Sequence, residues 1–261
     1  MNGLDQITVV ILAKNESAMI SECLASCKKF THRLVIDSDS TDTTTTIATQ
    51  AGAQVITHPF TTFRDTRAFA MTQVTTPWIF FVDADERPSS GLIDWIETAL
   101  ATSESDGIRI PRHNILLGEW VRFSGWSPDY QLRLCRVSVS KMGLQSVHES
   151  IEVNGPVLTL PPSGNAYLTH YTCHDLGLYI SKINHYTSIE ANDRKDDVAF
   201  KTTGMAIISR SFGMFTQTLF HHKGYKDGPR GMIVGVLNML GSLMLMIKIW
   251  ELRHRDGRHP H

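Results

Sequence analysis

Trp78-Ile-Phe-Phe-Val-Asp-Ala-Asp-Glu86 is the stretch on which the reading of this chain turns. Five large apolar residues in a row, Trp78–Val82, stop at two carboxylates separated by one small residue. A short unbroken apolar run marks a strand buried on both faces, as in a parallel sheet. The same pattern recurs upstream. Ile7–Leu12 is a continuous β-branched run, and Glu16–Lys29 follows with Met19, Ile20, Cys23, Leu24 and Cys27 at helical spacing. Leu34–Ile36 is a second strand, stopped by the polar block Asp37 to Asp42. A helix is expected from about Thr43 to Gln50, with Asp42 as N-cap and Gly52 past its end. Gln54–Ile56 makes a third strand and Arg64–Gln73 a helix, which leads back to Trp78. Downstream, Ser89 or Ser90 caps a helix running to about Thr102, and Ile108–Ile110 returns to the sheet. Strand alternating with helix predicts an α/β fold, Rossmann-like, with a mostly parallel sheet and flanking helices.

Open parallel sheets bind ligands beyond the carboxyl ends of their strands. Three polar clusters stand there: Lys14-Asn15-Glu16, Asp37 to Asp42, and Asp83-Ala-Asp85-Glu86. One such cluster is ordinary for a solvated loop; three on one edge point to a site. There is no GxGxxG after the first strand and no GxxxxGK[ST] anywhere, so dinucleotide and P-loop sites lose their main support. A D-x-D at a strand end instead suits Mg²⁺ or Mn²⁺, which takes one or two protein carboxylates and completes its shell with water and phosphate oxygens.

Composition narrows the class. The chain has 261 residues, 25 Lys and Arg against 26 Asp and Glu, and a formal net charge of −1, which gives no argument for a nucleic-acid partner. Cys23, Cys27, Cys135 and Cys173 form no repeated CxxC pattern, and a reducing cytoplasm is the default. No signal peptide is read at the N-terminus.

Ile7–Glu16 (ITVVILAKNE), Leu34–Thr43 (LVIDSDSTDT), Phe63–Met71 (FRDTRAFAM) and Trp78–Glu86 resemble, in order, the motifs of family 2 glycosyltransferases, which have the GT-A fold. Trp126–Arg136, Val147-His148-Glu149, Leu168-Thr-His170-Tyr171 and Lys223-Gly-Tyr-Lys-Asp-Gly228 resemble the lipopolysaccharide-core glucosyltransferase subgroup. The resemblance implies a metal-dependent, inverting enzyme that uses a UDP-hexose. It assigns Asp37, with Ala13, Asn15 and Glu16, to the nucleoside, and Arg67 to the nucleotide or diphosphate. Asp83 would bind the ribose side or the metal through water, and Asp85 the metal directly. Arg133 would reach a diphosphate or an acidic acceptor, and His170 a metal or phosphate. Glu149 is the expected catalytic base, His148 its neighbour, and Asp129 the second candidate for the base. Three positions depart from the family pattern. Asp39 stands where a small residue such as Gly is frequent, Thr66-Arg67-Ala68 where Q-[KR]-N is common, and Cys135 where Phe is usual.

The C-terminal third reads differently. Leu176–Glu190 looks helical, Val198–His222 mixes apolar and basic residues, and Met232–Ile247 is almost wholly apolar. That run falls short of the roughly 20 residues of a transmembrane span. Cations flank it on both sides: His221, His222, Lys223, Lys226 and Arg230 before, Lys248, Arg253, Arg255 and Arg258 after. The pattern predicts a segment lying on an anionic membrane surface, with a buried helix or an interface between copies as the alternatives. The expected organisation is a catalytic domain over 1–195 and a helical membrane-associating or interface region over 196–261. The expected setting is the cytoplasmic face of the inner membrane, peripheral, with a lipid-linked or lipopolysaccharide-type glycan as acceptor.

Two readings from other classes compete. A haloacid-dehalogenase-type phosphatase also uses a D-x-D after an apolar strand, but wants Thr or Val where this chain has Arg87. A non-catalytic module that binds sugar nucleotide or glycan would keep the scaffold without the chemistry.

Overall fold

In order along the chain stand β1 (Ile7–Ala13), α1 (Ile20–Ser26), β2 (His32–Asp37), α2 (Thr44–Gln50), β3 (Gln54–Thr57), α3 (Phe63–Gln73) and β4 (Trp78–Asp83). They are followed by β5 (Glu86–Pro88), α4 (Ser90–Ala99), β6 (Gly107–Leu116), β7 (Glu119–Trp120) and β8 (Asp129–Arg136). Next come β9 (Ser140–Met142), β10 (Ile151–Val153), β11 (Val157–Thr159), β12 (Leu168–Cys173), α5 (Leu176–Arg194), α6 (Gly204–Thr216) and α7 (Pro229–Arg255). The computed structural model describes residues 3–143, 151–173 and 175–255.

The main sheet runs β3-β2-β1-β4-β8-β6-β12-β5. Its first four strands are parallel. β8 enters antiparallel between β4 and β6, and β12 pairs antiparallel with β5. The mostly parallel sheet expected is therefore found, its parallel half extended by antiparallel strands that need no crossover helix.

The double burial inferred for β4 is visible residue by residue. Phe80 and Val82 join Val9, Ile11 and Phe30 in one core cluster, while Ile79 and Phe81 join Val10, Leu34 and Ile36 in another. Alternate side chains of β1 and β4 thus fill both faces, the period-two geometry of a strand. Phe80 is fully buried with its ring 5.9 Å from that of Phe30. Removing so large a buried ring costs about 3–5 kcal/mol.

Helix ends follow local chemistry. Ser89, not Ser90, caps α4 by accepting from the Leu92 N–H. The N-cap of α2 is Thr43 rather than Asp42. Asp42 still takes the Thr44 N–H and hydroxyl on Oδ1, at 2.9 and 2.5 Å, from one position outside. Hydrogen bonds to these donors hold its carboxyl well below the usual carboxylate range.

The chain divides into two compact units. One comprises residues 1–113 and 129–171, the other 114–128 and 172–261. In the second unit, α7 packs against α5 and α6, burying Val234, Leu237, Leu245, Met246 and Ile249. The helix outruns the apolar stretch at both ends. Pro229 starts it where no amide partner is needed, and Arg253 is held beyond the apolar run by the carbonyls of Lys195, Asp197 and Phe200. At 27 residues it is long and apolar enough, by length and composition, to cross a membrane.

Candidate active site at the carboxyl edge of the sheet

Register brings the clusters together. Ala13 of β1 sits opposite Asp37 of β2, and Leu12 opposite Asp83 of β4. Asp37 and Asp83 therefore flank one strand end, roughly 10 Å apart at the backbone from two inter-strand spacings.

The loops after β1 and β2 are tied to each other. Asn15 and Asp39 both adopt left-handed backbone, at φ 56° and 55°. Asn15 donates from its backbone N–H to Ser40 Oγ at 2.8 Å, and its Oδ1 accepts from the Thr41 N–H at 2.8 Å. The Glu16 N–H donates to Thr44 Oγ1 at 2.8 Å. The backbone at Asp39 accounts for the small residue usual in its place: Gly adopts that conformation freely, and Asp is among the few residues that tolerate it. Thr66 bonds back to the Thr62 carbonyl, and Ala68 packs on the core. Cys135 is fully buried among apolar neighbours.

Asp37 is almost fully buried. Its Oδ2 accepts from the Ser40 N–H at 3.0 Å, while Oδ1 is buried with no partner. A buried carboxylate oxygen left open is costly unless a donor arrives.

The two carboxylates of the D-x-D do different work. Asp83 Oδ1 takes Arg67 Nη2 at 3.3 Å, and Oδ2 takes Arg133 Nη2. Burial opposes the charged form of Asp83, but the charges of Arg133 and Arg67 outweigh it and hold its carboxyl well below the usual range. Asp85 stands beside His170. Its Oδ2 lies 3.5 Å from His170 Nε2, and both side chains are partly exposed. The Tyr171 N–H on β12 donates to the Asp85 carbonyl at 2.9 Å, which fixes His170 beside it.

Glu86, assigned no role on sequence, is the hub. It is fully buried, and Oε1 accepts from Arg133 Nη2 at 2.7 Å and Arg112 Nη1 at 3.2 Å. Its Oε2 accepts from the Asp83 N–H at 3.0 Å. Arg112 passes the network on to Asp129, donating from Nε and Nη2 to Oδ2 at 2.8 and 2.6 Å. The second base candidate is therefore engaged by a guanidinium, and Gln131 takes its other oxygen. Arg87 donates to the carbonyls of Ala84, Glu86 and Met19, each at 2.7 Å, and staples the D-x-D turn to the start of α1. Arg136 is spent elsewhere, on Asp106. Glu149 and His148 lie outside the described residues.

Among the described residues no three His, Cys, Asp or Glu side chains form a metal cage. Asp85 beside His170 offers the one or two protein ligands of a cation that completes its shell with phosphate and water.

The same sheet edge thus gathers the D-x-D, Asp37 and two arginines. The family model Glycosyl transferase family 2 matches residues 8–134. A lipopolysaccharide core biosynthesis glycosyltransferase of Rhizobium meliloti is 27% identical over 97% of this chain and 95% of its own length. An uncharacterized glycosyltransferase of Rickettsia felis is 25% identical over 95% of this chain and 90% of its own. Among solved structures, glucosyl-3-phosphoglycerate synthase of Mycobacterium tuberculosis, crystallised with Mn²⁺, UDP and glucosyl-3-phosphoglycerate, matches at TM-score 0.35 and 21% identity. That match covers 42% of this chain and 44% of the other, less than half of each. Over residues 8–134 the chain matches glycosyl transferase family 2, and over nearly its whole length it is similar to proteins named as glycosyltransferases. That likeness favours the glycosyltransferase reading over the phosphatase one.

Proposed function

We propose that this enzyme transfers a hexose, glucose foremost, from a UDP-sugar to a lipopolysaccharide-core or other lipid-linked glycan at the cytoplasmic face of the inner membrane. The observation that carries the donor site is the open, buried Oδ1 of Asp37 on the same sheet edge as the D-x-D. It suits a donor N–H or O–H of a nucleoside. Arg67 and Arg133, held by Asp83, are the guanidinium groups at this edge that a diphosphate would meet.

Asp85 and His170 are the residues that would hold Mg²⁺ or Mn²⁺, and the cation would neutralise charge on the departing diphosphate. Asp83, with both oxygens engaged by arginines, is better suited to orienting them than to direct ligation. In an inverting displacement the acceptor hydroxyl attacks C1 as a carboxylate removes its proton. Glu149 is our choice for that base; Asp129 is less suited, since Arg112 and Gln131 occupy its oxygens. The acceptor class is supported by the near full-length likeness to a lipopolysaccharide core enzyme. The membrane location is supported by the apolar and basic C-terminal unit.

The test is calorimetric titration with UDP and UDP-hexoses, with Mn²⁺ and with EDTA, on the parent, Asp37→Ala and Asp85→Ala. Metal-dependent binding, weakened in both variants, is expected, followed by transfer of the tightest hexose to a core oligosaccharide. Folded protein that binds no UDP species with metal present overturns the donor assignment.

A further inference from the structure

One stretch of the second unit carries one-sided charge. From Val198 to Lys226 the sequence has no Asp or Glu, and Lys201, Arg210, Lys223 and Lys226 with His221 and His222 supply its basic groups. The next acid, Asp227, is tied down by the amides of Arg122 and Phe123 and the hydroxyl of Ser124.

α6 lies wholly within this acid-free stretch and is apolar on two sides. On one side Ile207 packs on the cluster that includes Met246 and Ile249 of α7, and Ser211 is buried. On the other, Met205, Ile208 and Phe212 are 77%, 65% and 57% exposed. Their spacing, i, i+3 and i+7, draws a single stripe along the helix. Phe220, 69% exposed, continues the apolar surface into the turn that leads to His221, His222 and Lys223. A row of large apolar residues left in water is costly, and such patches mark contact surfaces.

We propose that this exposed face of α6, with the basic turn after it, docks on an anionic lipid bilayer, lying in the plane of the interface. The sequence alone nominates the apolar run of α7, but the structure buries Val234, Leu237, Leu245, Met246 and Ile249 of that helix against protein. α7 still leaves Met232, Val236, Ile247 and Trp250 44–47% exposed, below the 57–77% of the α6 stripe, so α6 is the foremost lipid contact. Charge decides between a bilayer and a second copy of the chain. Pairing two such faces sets like charges together, whereas anionic headgroups complement them. The inference deepens the membrane-face reading above and rests on it, but not on the donor assignment.

Sedimentation of the full chain with phosphatidylcholine vesicles, with and without phosphatidylglycerol, tests it. The parent binds the anionic vesicles, less so as salt is added. Ile208→Ser with Phe212→Ser lowers that binding by on the order of tenfold or more, since both side chains lose apolar burial. Val236→Ser with Ile247→Ser, at half-exposed positions of α7, leaves binding near the parent's. Circular dichroism and UDP titration of each variant confirm that it is folded. Unchanged binding in the α6 pair, or a loss confined to the α7 pair, overturns the proposal. So does equal binding to neutral vesicles, or a lipid-free dimer that the α6 pair dissociates. Parent protein that binds UDP but no vesicles removes this surface alone, and protein that binds vesicles but no UDP removes the donor assignment alone.

Discussion

Replacing Glu86 by Gln keeps the volume of the side chain and removes its charge from the centre of the arginine network. Glu86 is fully buried and serves three donors: Arg133 Nη2, Arg112 Nη1 and the Asp83 N–H. A glutamine offers one carbonyl oxygen to these donors and turns an NH₂ group toward the rest, so at least one donor faces another donor. Breaking a buried ion pair by removing one partner costs about 3–5 kcal/mol. Here Arg133 keeps Asp83 and Arg112 keeps Asp129, so the expected loss is smaller, about 2–4 kcal/mol. Urea unfolding of parent and variant, compared at equal slope, reads that difference. Arg133→Gln should cost a similar amount, since it leaves Glu86 with Arg112 alone among the arginines. Because the two residues share one bond, the double variant should lose less than the sum, with a coupling of at least about 1.5 kcal/mol. A Glu86→Gln protein within about 0.5 kcal/mol of the parent, or strictly additive costs, would refute the idea that Glu86 organises the site.

Other outcomes follow from particular contacts. Asp83 is held below its unfolded value, so its contribution to stability is complete above about pH 4 and is lost as pH falls. Arg133→Gln relaxes that shift, and the drop in stability on acidification should be smaller than in the parent, as measured by urea midpoints across acid pH. Gly231→Ala would set a Cβ 1.8 Å from the Gly224 carbonyl oxygen, so α7 must move, at about 3 kcal/mol. That corresponds to a melting temperature lower by roughly 6–12 °C, and a shift below a degree or two would contradict the contact. Asp227→Ala frees the amides of Arg122 and Phe123, whose hydrogen exchange should accelerate while that of β1 and β4 is unchanged. The four cysteines are free and buried, and burial pushes the Cys135 thiol up to about 11. None should react with a thiol reagent at mildly alkaline pH until denaturant is added.

The alternation of β1 through β4 was legible because each buried strand and each helix carries its own local pattern. Ile7–Leu12 and Trp78–Val82 have no polar residue to offer water on either face apart from Thr8. The left-handed backbone at Asp39 and the choice of Ser89 over Ser90 as cap lay beyond that pattern, since both depend on where the chain turns. The antiparallel insertion of β8 between β4 and β6 was equally hidden, because strand order is a long-range matter.

The site divides in the same way. Sequence placed Asp37, Asp83 and Asp85 at strand ends, since the end of an apolar run is a local event. It could not pair them. Arg112 lies 26 residues from Glu86, and Arg133 lies 50 from Asp83, with no periodicity connecting them. Only the closing of the sheet makes neighbours of these groups, and only then do two carboxylates one residue apart separate into Asp83, locked by arginines, and Asp85, set beside His170. In the C-terminal unit the sequence identified an apolar helix between cations, because composition is additive along the chain. Which helix turns its apolar face outward was decided by packing: α7 spends its buried side on α5 and α6, and α6 is left with one face uncovered.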